Sequence, residues 1–243
     1  MILTFISHGF LAAHIGTFNN LWYVFLSAAR FDPAHPIPAD HVSQQLPFRF
    51  NGGLGLPPPK IGLALSIIGV IGITLQMLLY PPLSAKLGTT RSFRLSLLLF
   101  PMTYLAVPYL AVMPSTTTPP NPASGAVVWI ALAFILMVYT AGRTFALPGA
   151  AILVNNCCPH PSVLGTLHGL AQSVSSGVRT IGPIVGGWVL GQGMRMGIVG
   201  IAFWALALLA SAGAVAGCFV RNGDGHEIIL EGEEVEEVEV HTK

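Results

Sequence analysis

The sequence predicts an all-α, polytopic membrane protein with six transmembrane helices arranged as a 3+3 inverted repeat. Three observations predict it. Hydrophobic residues make up 53% of the 243-residue chain and charged residues only 9%, whereas a soluble globular protein carries about a quarter charged residues. The carboxylates are confined to Asp32, Asp40 and the stretch from Asp224 to Glu239, so that nothing from His41 to Gly223 bears one. Finally, the chain divides into six stretches near the roughly 20 apolar residues that a helix needs to cross a hydrocarbon core of about 30 Å. No stretch shows the strand alternation of a membrane barrel, and backbone groups in lipid must be paired internally, so these stretches are expected to be helices.

The first span runs from Ile2 to Ala29; with no Lys or Arg before it and no small-residue cleavage site, it reads as a span rather than a signal peptide. The second, Ile61 to Leu83, follows a loop from Arg30 to Lys60 that holds seven prolines with Gly52, Gly53 and Gly55, an ordered or semi-ordered external loop. A short basic connection with Lys86 and Arg91, followed by Arg94, leads into the third, Phe93 to Met113. Polar residues from Pro114 to Gly125 precede the fourth, Ala126 to Val154. The fifth, Val163 to Leu190, joins the sixth, Met196 to Val220, through Gly191 to Arg195. Residues 1–223 are thus expected to form the membrane bundle. Residues 224–243, with seven glutamates between Glu227 and Glu239, are expected to be an acidic disordered tail, too charged for a bilayer and too poor in aromatics to fold alone.

An even number of spans puts both termini on one side. The positive-inside rule is nearly balanced, with Lys86, Arg91, Arg94 and Arg221 on one side and Arg30, Arg49, Lys60 and Arg195 on the other. The close spacing of Lys86, Arg91 and Arg94 assigns their loop and the termini to the cytoplasm. A formal net charge of +1 and a pI near 7.8 supply no basic field for nucleic acid. Three cysteines, of which Cys157 and Cys158 are adjacent, fit neither a disulfide framework nor a zinc site, and no metal or other cofactor is expected. Cys157 and Cys158 stand at a span end, where they are free thiols or palmitoylation sites.

A strongly polar side chain at bilayer depth is costly unless it faces protein or water. Arg143 lies well inside the fourth span, one turn from Tyr139 and five residues before Pro148. On the fifth, His168, Gln172, Ser175 and Arg179 share one helical stripe. The first span adds His8 and Asn19 on one face, with His14 and Asn20 on others, and the second adds Ser66, Thr74 and Gln76. The third offers Thr103 and Tyr104, and the sixth little beyond Ser211. Two helices with polar groups followed by one fit for lipid, twice over, is what an inverted repeat produces. The candidate cavity residues are therefore His14, Asn19, Gln76, Tyr139, Arg143, His168, Gln172 and Arg179. Two alternatives stand beside this reading: Arg143 snorkelling to the interface, and the fifth-span stripe bonding a neighbouring helix. Gly182, Pro183, Gly186 and Gly187 read as packing or hinge positions, since small residues four apart let helices approach and proline bends them.

Three blocks carry a resemblance: Pro47 to Gly55 (PFRFNGGLG), Tyr80 to Arg94 (YPPLSAKLGTTRSFR) and Leu164 to Gly187 (LGTLHGLAQSVSSGVRTIGPIVGG). On them the chain resembles the C-terminal half of a major facilitator superfamily transporter, in the fungal drug:proton antiporter-like branch. The middle block is similar to the family's basic loop motif, but Ala85 or Lys86 stands where the motif has an acidic residue, so no salt-bridge latch is expected there. The resemblance implies spans seven to twelve of a twelve-span protein that moves small organic solutes by alternating access. It also implies that the first, second, fourth and fifth spans line the path. The chain is then incomplete alone and needs a complementary N-terminal six-helix bundle or a homodimer partner. With no carboxylate in the spans, proton coupling would rest on a histidine such as His14 or on the absent half. The substrate is left open, as is plasma or vacuolar membrane.

Other classes fit less well. Asn121, Pro122 and Ala123 spell the aquaporin NPA, but once only and in a polar loop. An intramembrane serine protease needs a glycine two residues before its serine and a histidine base, and neither accompanies Ser176, so no enzyme is expected. A non-transporting truncated or split membrane protein that assembles with or regulates a full transporter is the main alternative.

Overall fold

A computed structural model describes residues 1–39 and 43–223; the expected acidic tail, 224–243, lies outside the described residues. Seven α-helices follow one another in the described residues: α1 Ile2–Ser27, α2 Pro58–Thr74, α3 Tyr80–Leu87, α4 Thr89–Ala106, α5 Ala126–Asn156, α6 Leu164–Arg195 and α7 Ile201–Cys218. Among the described residues there is no strand, only an isolated bridge between Gln45 and Arg49.

Proline and glycine set most of the boundaries. Pro58 and Pro59 open α2, where a missing N–H costs nothing because the first turn has no acceptor for it. Pro81 and Pro82 remove two donors further along the same rod, and the turn just before them, Leu75–Leu79, is widened to a π turn. α2, that turn and α3 therefore make one helical stretch from Pro58 to Leu87. It ends at Gly88, whose φ of 74° favours glycine. Pro108 lies in the tightened 3₁₀ turn Val107–Val112 that finishes the α4 rod. The last helix begins at Ile201 instead of Met196, because Gly197 turns the chain at φ 74° and Ile198 N–H returns to the Gly193 carbonyl at 2.7 Å.

Among the described residues, four helical stretches are long and apolar enough to cross a membrane: Pro58–Leu87, Thr89–Val112, Ala126–Asn156 and Ile201–Cys218. α1 and α6 have the length, 26 and 32 residues, but their His, Asn, Gln, Ser and Arg side chains lower the mean hydropathy. α4 packs on α5 and α7, α1 packs on α6 and α7, and α2 leans on α5. Phe18 sits at the centre, its ring 4.5 Å from Tyr139, 5.0 Å from Tyr104, 5.8 Å from Trp22 and 6.4 Å from Phe203. In lipid, tight contact of this kind replaces hydrophobic burial as the force between helices. Gly142 and Gly149 on α5 admit the rings of Phe100 and Phe93. α2 buries only Ala64, and α6 buries only a stripe from Leu167 through Ala171 and Ser175 to Leu190 and Gly193.

The Pro-rich loop after α1 straps one end of the bundle. Phe50 and Leu54 are fully buried, and Gly53, Gly55 and Leu56 donate to the carbonyls of Ala29, Ala28 and Leu26, each at 2.8 Å. A side chain at Gly53 would strike the α1 terminus, and one at Gly52 the backbone of Arg30 and Phe31 just beyond it. Asn51 Nδ2 donates to the Ile37 and Met194 carbonyls at 2.7 Å each, and Val199 N–H reaches the Phe50 carbonyl at 3.0 Å. Arg30 ties the strap to the loop before α5 through the carbonyls of Thr117 (2.9 Å) and Asn121 (3.1 Å).

Candidate polar site among α1, α2, α5 and α6

Asn19 on α1 accepts a hydrogen bond from the Tyr139 hydroxyl on α5 at 2.9 Å. One turn along α5, the Arg143 guanidinium carbon lies 5.6 Å from the Tyr139 ring centroid, a cation–π distance. A cavity of about 210 Å³ opens here, lined by Asn19, Trp22, Tyr139 and Arg143 with Leu65 and Ile68 of α2. A neighbouring cavity of about 550 Å³ between α2 and α5 is lined by Gln76, Thr140, Arg143 and Pro148. Arg143 and Ile68 belong to both. Three buried polar atoms in these walls have no hydrogen-bond partner among the described residues: Arg143 Nε, Trp22 Nε1 and Thr140 Oγ1.

Toward α6, the Ser175 hydroxyl is hydrogen bonded to His8 Nε2 of α1 at 2.7 Å. Arg179 passes over Gly16, where an added Cβ would come within 2.9 Å of its Cγ. Gly182 and Gly186 both pack on Thr17, so close that a Cβ at either would strike that side chain. Gly187 has open space beside it, and Pro183 sits half-buried inside α6. His168, Gln172 and Arg179 are exposed, as are Ser173, Ser176 and Thr180. Asn19 and Gly16 are neighbours on one face of α1, so the two arginines flank that face from α5 and α6.

His14 is placed elsewhere. It is 1% exposed, its Nδ1 2.8 Å from the Tyr104 hydroxyl and its ring 4.7 Å from that of Phe100, so it joins α1 to α4 inside the bundle. Of the basic loop, Lys86 and Arg91 are exposed, whereas Arg94 donates to the Val220 carbonyl at 2.7 Å and fixes the start of α4 to the end of α7. The exposed positions of α4 from residue 95 to 105 are Leu95, Leu98, Met102 and Leu105, and those of α7 include Leu208 and Val215. Those surfaces are wholly apolar, unlike that of α6. Cys157 and Cys158 are buried, and among the described residues no three His, Cys, Asp or Glu side chains gather as metal ligands would.

Sequence reasoning passed over Trp22, which a purely apolar reading assigns to the core. Its indole N–H is the missed signal, since a buried Trp donor normally has a partner.

The helices and the polar seam define an integral multi-pass membrane protein. No protein-family model and no solved structure matches the chain. It is 34% identical over 224 residues to the major facilitator superfamily multidrug transporter mfsB of Aspergillus fumigatus, an alignment covering 92% of this chain and 34% of that protein. It is 24% identical over 164 residues to the major facilitator-type transporter psiT2 of Psilocybe cubensis, covering 65% of this chain and 31% of the relative. With the efflux pump azaK of Aspergillus niger it shares 26% over 132 residues, covering 54% and 27%. Along nearly its whole length the chain is similar to major facilitator superfamily transporters. It spans about a third of the length of the relatives it matches.

Proposed function

We propose that the chain is the C-terminal six-span bundle of a secondary active transporter of small organic solutes, working by alternating access against a complementary N-terminal six-helix bundle or a second copy. In this reading all six long helical stretches cross the bilayer, α1 and α6 included, and the Lys86 to Arg94 loop faces the cytoplasm. The helix contacts support a 3+3 repeat: exchanging α1, α2 and α4 for α5, α6 and α7 turns the α1–α6 contact into α5–α2, turns α4–α5 into α7–α1, and leaves α4–α7 unchanged.

The observation that carries the proposal is the contrast between exposed faces. From residue 95 onward α4 exposes only apolar side chains, and so does α7, as lipid requires, while α6 presents His168, Gln172, Ser173, Ser176, Arg179 and Thr180. Such groups at bilayer depth call for water or another bundle. Gln76, Tyr139, Arg143, Gln172 and Arg179 then line a path opened alternately to the two sides.

Single cysteines at Gln172 and Ser176 on α6, and at Leu98 on α4, in a chain cleared of its native cysteines, test this with a membrane-impermeant thiol reagent. Labelling at both α6 positions with Leu98 protected is expected; equal protection of all three ends the proposal. Co-expression with an N-terminal bundle then gives solute uptake that neither part gives alone. Association without uptake favours the non-transporting regulatory reading.

A further inference from the structure

Resting on that reading, we infer that the cavity between α1, α2 and α5 is a binding site for an aromatic carboxylate, with Arg143 as its counter-ion and the Trp22 indole as a second donor. The walls hold donors in excess. Arg143 Nε and Trp22 Nε1 are buried without partners although Trp22 is only 2% exposed, and the Tyr139 hydroxyl occupies the Asn19 acceptor, leaving that carboxamide its NH₂. No Asp or Glu lies between His41 and Gly223, so the spans offer Arg143 no carboxylate. An uncompensated guanidinium at this depth is costly, and an anion is what relieves it.

The rest of the lining selects the ligand's body. Phe18, Trp22, Tyr23 and Tyr139 surround the cavity, and their faces suit a planar ring. A carboxylate on that ring meets the guanidinium fork with two parallel N–H···O bonds. A cationic ligand would be repelled by Arg143, and a hydrocarbon would leave the donors unpaired.

The test is titration of the purified full chain in nanodiscs with 2-naphthoate, 2-naphthamide and 2-naphthylmethylamine, followed by tryptophan fluorescence and by saturation-transfer NMR. The carboxylate is expected to bind about tenfold or more tighter than the amide, and the amine weakest. That preference disappears in Arg143→Gln, survives in part in Arg143→Lys, weakens in Trp22→Phe, and is unchanged in Arg91→Gln, an exposed cation far from the cavity in the basic loop, with circular dichroism confirming equal helicity. Equal affinity for all three probes, which is partition into lipid, overturns the inference. So does a carboxylate preference that persists in Arg143→Gln, and so does tighter binding of the amine, which would leave Arg143 waiting for a carboxylate from a complementary bundle. Naphthoate selectivity in a chain whose α6 cysteines are lipid-protected would leave this site standing and remove the transporter reading.

Discussion

Tyr139 and Asn19 join α5 to α1 through a single hydrogen bond of 2.9 Å, and Tyr139 simultaneously carries the Arg143 guanidinium at 5.6 Å from its ring. One tyrosine thus fixes both the distance between two helices and the position of the cation beside the cavity. Phe18, 4.5 Å from the same ring, holds it from the other side.

Tyr139→Phe keeps the ring and removes the hydroxyl. Unfolding in mixed detergent should show a loss of about 0.6 to 1.7 kcal/mol, the range for hydrogen bonds between membrane helices. The cation–π contact survives, so ligand binding at Arg143 should change less than it does in Tyr139→Leu.

The α1–α6 contact is steric at Thr17. Gly186→Ala should destabilise the bundle by about 1 to 3 kcal/mol, because its new methyl strikes the Thr17 methyl. Thr17→Ser should restore part of that loss in a double-mutant cycle. Gly187→Ala, with nothing within 4 Å, should be neutral; an equal effect at 186 and 187 would show that helix propensity is being measured, not packing.

Asn51→Ala removes both donors that hold the strap to Ile37 and Met194. The expected cost is about 1 to 3 kcal/mol. Hydrogen exchange at the Val199 amide, which reaches the Phe50 carbonyl, should rise while the amides of α4 stay protected.

Thiol chemistry separates the cysteines. Burial pushes the Cys157 thiol above its ordinary pKa, so at any given pH less of it is thiolate, the reactive form. Maleimide should modify exposed Cys218 first and reach Cys157 only at higher pH. Mass spectrometry of the peptides after timed labelling reads the order, and equal rates at neutral pH would contradict it.

The helices were legible because period and length act locally: an apolar run of the right length, ended by Gly88 or opened by Pro58, needs no tertiary knowledge. The π turn before Pro81 and the late start of α7 at Ile201 were not, since both depend on where prolines and glycines relieve strain along the chain. At the polar site, Arg143 and Tyr139 were legible as one turn apart on one helix, but the Asn19 bond connects residues 120 positions apart, and no periodicity reports that. His14 shows the same limit. Its neighbour Tyr104 is 90 positions away, and only the packing of α1 on α4 decides that the imidazole turns into the bundle.

The strap has a consequence for how the chain is made. Phe50 and Asn51 are bonded to the segment around Met194 and Val199, on the far side of nearly the whole bundle in sequence. During synthesis those partners leave the ribosome only when five of the six long helical stretches already exist, so Phe50 and Asn51 wait for them through most of translation, while Gly53, Gly55 and Leu56 need only the end of α1, which precedes them. Knotting of this end is therefore a late event of biogenesis, with only α7 still to be made, and a nascent chain released before Met194 has no means of completing it.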